Sequence, residues 1–191
     1  MISLVDRRPL LVTLAGPNGA GKSTFFHVHL ALAGLRFLDP DRIARDLHLT
    51  PESAAEALAA LRRALVQERE SFVFETVFSD PVGDKLAFLK EAQAAGYTVV
   101  LCFIGLASVR TSDERVAMRV SQGGHDIPRS KLVARYPRTL ANLRRALREL
   151  PHVYVFDNDD LRTPFRKVAI FEDGQPVYLS PVVPKWLAPL L

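Results

Sequence analysis

The sequence predicts an α/β fold, because apolar segments rich in β-branched residues alternate with segments of helical periodicity. A second indication is the glycine-rich segment Gly16–Ser23, which follows the first apolar segment and directly precedes a helical one. Strands joined by crossover helices in a parallel sheet produce this alternation. We therefore expect one domain over residues 1–191, built on a five-stranded parallel sheet flanked by helices.

Five strands and five helices can be placed along the chain. The expected strands are Leu10–Ala15, Leu35–Leu38, Ser71–Phe74, Tyr97–Ile104 and His152–Phe156. The expected helices are Lys22–Ala33, Pro51–Glu70, Gly83–Ala95, Ser108–Ser121 and Pro128–Leu150. Thr50 before Pro51 is a typical N-cap, and Gly96 is a typical helix stop. In segment 165–191 an Asp-Gly turn predicts a β-hairpin at the sheet edge, followed by a tail that lies along the body.

Composition bounds the function classes. The chain is 48% apolar and no apolar run approaches the ~18 residues of a membrane span. Because the N-terminus also lacks the layout of a signal peptide, we expect a cytoplasmic protein. Cys102, the single cysteine, lies in an apolar strand and is expected to be buried. The net charge of +4 suits either a nucleic acid or a polyphosphate, and charge alone does not separate the two.

The segment Gly16–Ser23 has the spacing of a phosphate-binding P-loop between a strand and a helix. Its glycines allow backbone N–H groups to converge on an anion at the positive end of the next helix. Lys22 is expected to reach the β- and γ-phosphates of ATP, and Ser23 to bind Mg²⁺. The residues expected to bind ATP are Gly16, Pro17, Asn18, Gly19, Ala20, Gly21, Lys22, Ser23 and Thr24.

Acidic residues follow three of the expected strands, where open parallel sheets bind ligands. Asp39 and Asp41 follow the second strand, Glu75 the third and Asp157 the fifth. Asp41 is the candidate general base for an acceptor hydroxyl, although capping of the next helix is an alternative for Asp39 and Asp41. Glu75 suits either the magnesium shell or the substrate, and Thr76 adds a hydroxyl there.

Residues 110–140 form an arginine-rich segment with the features of a lid. Arg115 and Arg119 are four residues apart on one face of the expected helix, which runs into the glycine-containing Gln122–His125. Such a segment can close over ATP and bring positive charge to the transferred phosphoryl group. Ordinary helix salt bridges with Asp113 and Glu114 are the alternative.

With these motifs the chain resembles the zeta-toxin family of P-loop kinases from Leu10 to about Asn158. The motifs that carry the resemblance are Gly16–Thr24, Leu38–Ala44, Phe74–Thr76, Arg115–Val120, Gly123–Pro128 and Phe156–Asn158. The resemblance implies the kinase-type sheet order 2-3-1-4-5 and transfer of the ATP γ-phosphate to a hydroxyl of a sugar nucleotide. UDP-N-acetylglucosamine is the acceptor best known for this family.

The resemblance also implies roles for individual residues. Lys22, Asp41, Arg115 and Arg119 are expected to be catalytic, and Asp39, Glu75, Thr76 and Arg135 to bind the substrate; Arg129 is an alternative to Arg135. The family often has Asn where this chain has Asp39, which leaves the acceptor's identity open. Among macromolecular partners the resemblance suggests an antitoxin protein, whereas nucleic acid and membrane are not expected. The rivals are a nucleoside or polynucleotide kinase and an ATP-gated binding protein without transfer.

Overall fold

The computed structural model describes residues 7–123 and 126–191, apart from the side chains of Asp41 and Pro51. Seven strands form one sheet in the order β2-β3-β1-β4-β5-β6-β7. The strands are β1 Leu10–Ala15, β2 Arg36–Leu38, β3 Phe72–Thr76, β4 Thr98–Gly105, β5 His152–Asp157, β6 Arg166–Glu172 and β7 Gln175–Leu179. The first five are parallel, and β6 and β7 are antiparallel to their neighbours.

Helices cover both faces of the sheet. They are α1 Lys22–His29, α2 Pro40–Asp46, α3 Pro51–Gln67, α4 Asp84–Ala94, α5 Val109–Ser121 and α6 Arg129–Glu149. One buried cluster lies under α3, α4 and α6, and a second lies under α1 on the other face. The central strand β1 is fully buried, as a parallel strand covered on both faces must be. No helix in the described ranges is both long and apolar enough to span a membrane.

The register of the sheet brings the functional strand ends together. β1 ends at Ala15, which pairs with Thr76 on one side and with Phe103 on the other. Glu75 pairs with Leu14, one residue before the end of β1. The glycine-rich loop, the end of β3 and the end of β4 therefore share one edge of the sheet.

The predicted strand order 2-3-1-4-5 is confirmed for the parallel strands. The predicted hairpin is present, and it continues the main sheet by pairing β6 with β5. The first helix was predicted to reach Ala33, which is wrong: it ends at His29, because Leu30 leaves helical geometry with a φ of −125°. Leu30 is buried there, and the short 3₁₀ turn Ala31–Ala33 follows.

Candidate active site

The glycine-rich loop joins β1 to α1, and its conformation requires glycine at two positions in particular. Gly16 has a φ of 142°, and a Cβ atom on it would collide with the carbonyl oxygen of Ile104 in β4. Gly21, the N-cap of α1, has a φ of 87° and forms no side-chain capping bond. The N-terminal N–H groups of α1 therefore remain available to an anion, and the helix dipole favours negative charge at the same place.

The ammonium group of Lys22 lies within reach of three oxygen atoms beside the loop. Lys22 Nζ donates to the carbonyl oxygens of Gly16 and Pro17, both at 3.1 Å, and lies 3.6 Å from Glu75 Oε1. Ser23 Oγ donates to the other carboxylate oxygen, Glu75 Oε2, at 2.7 Å. One carboxylate thus contacts both the lysine and the serine of the motif, and the loop and the end of β3 form a single site.

Asn158, directly after β5, supports the loop from behind. Its side chain is 3% exposed, and Nδ2 donates to the Ala20 carbonyl oxygen at 2.8 Å. Its Oδ1 accepts from Phe165 N at 3.1 Å, so both ends of the amide are satisfied. The motif Phe156–Asn158 carries the family resemblance but predicts no role for Asn158. The only signal was an amide residue after a buried strand, which does not reveal a partner 138 positions earlier.

The helix α5 packs on the glycine-rich loop through Ser112 and Arg115. Ser112 Oγ donates to Asn18 O at 2.6 Å, and Arg115 Cβ would lie 3.0 Å from a Cβ atom on Gly19. Arg115 Nη2 donates to Asp159 O at 2.8 Å. Burial lowers the pKa of Arg115, opposed by the nearby negative charge of Asp159. Arg115 therefore lies beside the loop, and its side chain links α5 to the connection that follows β5.

The other expected lid arginines lie on the two helices that flank residues 122–128. Arg119 follows Arg115 by one turn on α5, Arg135 lies in the first half of α6, and both are partly exposed. An ion pair of 3.4 Å between Arg129 Nε and Asp113 Oδ2 joins the two helices. Of the predicted glycine connection, Gly124 and His125 lie outside the described residues. The lid assignment stays a prediction.

Asp39 caps the short helix α2, as the capping alternative predicts. Its Oδ1 accepts from Arg42 N at 3.3 Å, and its carbonyl oxygen accepts from Ile43 N at 3.0 Å. Asp41 lies in the first turn of the same helix, and its side chain is outside the described part of the chain. Thr76 Oγ1 accepts from Phe78 N at 3.0 Å in the turn after β3. Roles for these residues in binding or chemistry stay predictions.

The sequence matches the family model described as Zeta toxin over residues 3–167. The chain belongs to the zeta toxin family. This match confirms the resemblance seen in the motifs, and it supports the predicted enzyme class, a phosphotransferase with an alcohol acceptor. No curated protein matches the chain in sequence.

Solved structures share the fold of this zeta toxin family member. A chain of the AvrRxo1-ORF1:-ORF2 structure with ATP matches with a TM-score of 0.72 at 16% identity, covering 93% of this chain and 63% of that one. A chain of the PezAT toxin-antitoxin system of Streptococcus pneumoniae matches with a TM-score of 0.59 at 14% identity. This match covers 90% of the present chain and 72% of the PezAT chain. A gluconokinase from Sinorhizobium meliloti 1021 matches with a TM-score of 0.50 at 22% identity. This match covers 79% of the present chain and 84% of the gluconokinase chain. The present chain thus spans less than two thirds of the AvrRxo1 chain.

Asp157, the remaining acid at a strand end, has structural partners on both carboxylate oxygens. Arg166 Nη2 donates to Oδ2 at 3.0 Å, and Trp186 Nε1 donates to Oδ1 at 3.0 Å. The Trp186 ring also packs where a side chain on Gly105 would otherwise lie. Asp157 therefore fixes the C-terminal tail of this zeta toxin family member to the ends of β4 and β5, while its neighbour Asn158 supports the loop.

Proposed function

We propose that this chain is an ATP-dependent kinase that transfers the γ-phosphate to a hydroxyl group of a small, nucleotide-containing substrate. The observation that carries the proposal is the meeting of Lys22, Ser23 and Glu75 at the glycine-rich loop. In phosphoryl transfer the protein supplies positioning and positive charge, which the loop, the N-terminus of α1 and Lys22 can provide. The AvrRxo1 structure that contains ATP supports this choice of nucleotide.

The residues at the loop fit a magnesium ion as well as ATP. Mg²⁺ prefers oxygen ligands and takes only one or two protein groups when nucleotide phosphates supply others. Ser23 Oγ donates its proton to Glu75, which leaves the serine lone pairs free to bind a cation. In this proposal Ser23 holds the ion directly and Glu75 orients the serine. When bound, the ion neutralises part of the phosphate charge.

For the acceptor we propose a UDP-sugar, with UDP-N-acetylglucosamine as the first candidate because of the family. Asp41 acts as the general base on the acceptor hydroxyl, since Asp39 of the same pair already caps α2. The acceptor is contacted by Thr76, Glu75 and Arg135. Asp39 can contact the acceptor only when its capping hydrogen bond from Arg42 N is broken. Arg119 stabilises the negative charge that develops during transfer.

A protein partner of the antitoxin type belongs to the same proposal. The PezAT system is a toxin-antitoxin system by description, and the AvrRxo1 structures contain two gene products. Co-expression with the neighbouring reading frames, followed by affinity purification of the tagged chain, would test for such a partner. Recovery of no stoichiometric partner in this experiment would remove it from the proposal.

The test of the main proposal is incubation of the purified chain with labelled ATP, Mg²⁺ and a panel of acceptors. The panel contains UDP-sugars, nucleosides and short oligonucleotides, and the Lys22→Ala protein serves as the control for contaminating kinases. We expect label on a UDP-sugar, with ³¹P NMR locating the new phosphomonoester on a sugar hydroxyl. Label on oligonucleotides alone would instead identify a polynucleotide kinase. ATP binding without label on any acceptor would favour the ATP-gated binding protein.

A further inference from the structure

Arg62, in the second half of α3, is a buried cation for which the described residues provide no anionic partner. The residue is 8% exposed, and its Nε is buried without a hydrogen-bond partner. The contacts of its guanidinium are aromatic: Cζ lies 4.9 Å from the centroid of Phe74 and 5.6 Å from that of Phe88. Buried guanidinium groups in proteins are normally paired with a carboxylate or another anion. Arg62 therefore lacks the interaction that usually accompanies such burial.

The same arginine lines a cavity of about 180 Å³ between α3 and α4. The residues Arg63, Lys85, Asp84 and Glu91 also line this cavity, and neither of the two acidic residues forms an ion pair with Arg62. Burial lowers the pKa of Arg62, and the charge of Arg63 adds to this effect. A volume of that size corresponds to about six water molecules, which leaves room for a phosphate group.

This cavity is separate from the ATP site. Phe74, which stacks on Arg62, precedes Glu75 in β3, and successive side chains of a strand point to opposite faces of the sheet. Glu75 contacts Lys22 and Ser23 on its side. The Arg62 cavity thus lies against the other face of the strand that carries the acid of the proposed active site.

We propose that this cavity is a second anion-binding site, which takes the phosphate group of a small molecule with Arg62 as its central cation. Guanidinium nitrogens are well suited to phosphate oxygens, and a partly desolvated cation binds an anion more strongly than an exposed one. The anion supplies the charge partner that Arg62 does not find among the described residues. Its binding therefore stabilises the folded state independently of ATP.

The proposal is tested by thermal unfolding with increasing inorganic phosphate at constant ionic strength. Because the glycine-rich loop is also expected to bind phosphate, the titration uses the Lys22→Ala protein as its reference. We expect the melting temperature of Lys22→Ala to rise by roughly 5 °C when phosphate exceeds its Kd about 100-fold. The Lys22→Ala/Arg62→Met protein should lose this response, whereas Lys22→Ala/Arg144→Met should retain it, since Arg144 is exposed on α6.

The melting temperature in phosphate-free buffer shows whether Arg62 serves a ligand site or only stabilises the fold by stacking on Phe74 and Phe88. Methionine preserves much of the apolar packing against Phe74 and Phe88, so Arg62→Met should melt at or above the wild-type temperature in phosphate-free buffer. Arg62→Lys keeps the charge and should keep a reduced phosphate response. A phosphate response that is as large in Lys22→Ala/Arg62→Met as in Lys22→Ala, or no response in Lys22→Ala, would overturn the site.

Replacing inorganic phosphate with glycerol 3-phosphate in the same titration distinguishes a free phosphate from a phosphomonoester as ligand. A larger shift with the ester at equal concentration assigns an organic phosphate, and a smaller one assigns the free ion. Isothermal titration of phosphate into Lys22→Ala provides a second measurement should the Arg62 variants fold poorly. Absence of binding heat with that protein would count against the proposal.

Discussion

Two regions of the molecule are held by different kinds of contacts: the loop side, which comprises the glycine-rich loop, α1, α5 and Asn158, and the proposed acceptor side, which comprises α2 and the end of β3. On the loop side the contacts join distant parts of the chain: the hydrogen bond from Asn158 to Ala20 is buried, and that from Ser112 to Asn18 is partly buried. On the acceptor side, Asp39 caps α2 by accepting a hydrogen bond from Arg42 N, only three residues further along the chain. The ion pair between Arg42 and Asp46 in the same helix is exposed. The described polar contacts of the first region join distant parts of the chain, whereas those of α2 are local and solvent-accessible, although Ile43 of α2 packs on the core.

This difference separates what a kinase fold shares from what it varies. Backbone donors and one lysine recognise phosphates in any P-loop protein, so the loop side carries little information about the acceptor. In the proposed function, a few side chains on α2, at the end of β3 and in the arginine-rich segment select the acceptor. Substitutions on the two sides should therefore affect ATP binding and transfer in separable ways.

The largest expected effect is that of Lys22→Ala, which should reduce transfer to background. The variant removes the cation proposed for the β- and γ-phosphates and leaves Glu75 without its positive neighbour. Initial rates with labelled ATP and circular dichroism of the same sample check loss of activity and retention of fold. Lys185→Ala, at an exposed tail position, is the matched control and should be fully active. Wild-type rates for a folded Lys22→Ala protein would refute the loop assignment.

Asp41→Asn should lower the single-turnover rate by about 10²–10⁴-fold while ATP binding and the melting temperature stay near wild type. Asparagine keeps the shape of the side chain and removes the proton acceptor. Asp39→Asn is the control on the same helix: Asn caps about as well as Asp, so a purely capping Asp39 predicts little change. If Asp39→Asn is the slow variant and Asp41→Asn is not, the two roles must be exchanged.

Substitutions of Arg115 and Arg119, both on α5, should separate turnover from nucleotide affinity. Arg119→Ala should lower kcat by roughly 10²-fold with a small change in ATP affinity, because its proposed contact forms in the transition state. Arg115→Ala should instead raise the KM for ATP by about tenfold, since Arg115 packs beside the loop at Gly19. Steady-state kinetics of both variants, with ATP varied at saturating acceptor, measure the split. Identical kinetic effects would mean that the arginines act as one clamp.

Much of the loop side could be predicted from sequence because local rules dictate it. The order of the parallel strands follows from the alternation of strands and helices together with the family resemblance, and the loop follows from glycine spacing. The long-range contacts could not be predicted in this way. Nothing local connects Asn158 with Ala20, or Trp186 with Asp157, because these pairs arise only from the three-dimensional arrangement of strand ends.

Two further features of the structure could not be predicted from the sequence pattern: the different contacts of Asp157 and Glu75, and the burial of Arg62. Asp157 and Glu75 both follow strands, yet Asp157 binds Arg166 and Trp186 whereas Glu75 contacts the loop. Strand position alone does not distinguish them. Arg62 belongs to an ordinary amphipathic helix in sequence, and its burial against Phe74 and Phe88 becomes visible only once α3 and α4 are packed.

Asn158→Ala tests whether the buried support of the loop matters for ATP. Removal of the amide leaves the buried Ala20 carbonyl oxygen without its donor, which should cost about 1–3 kcal/mol of unfolding free energy. We expect the KM for ATP to rise several-fold while the acceptor KM stays unchanged. Urea unfolding and kinetics with each substrate varied separately check this. An equal loss for both substrates would indicate a general structural defect.

The last prediction, with the smallest expected effect on activity, concerns Cys102 in β4. The rate at which a reagent labels its thiol measures how often β4 becomes exposed to solvent. The thiol is fully buried, and burial raises its pKa to about 12. At pH 8 its thiolate fraction should therefore be about 10³-fold below that of an exposed cysteine, and a disulfide reagent should label it only through unfolding. Leu47→Cys, at an exposed position after α2, provides the acceptor-side comparison and should react at once.

The same shift fixes the direction of the pH dependence. The thiol is ionised in the unfolded chain above about pH 9 and stays protonated in the folded protein until about pH 12. Its contribution to stability is complete below pH 9 and is lost as the pH rises through this window, and Cys102→Ser should lack the thiol part of this decline. Urea unfolding of both proteins between pH 8 and pH 10.5 measures the difference. Rapid labelling of Cys102 at pH 8 without denaturant would show that the loop side opens as readily as the acceptor side.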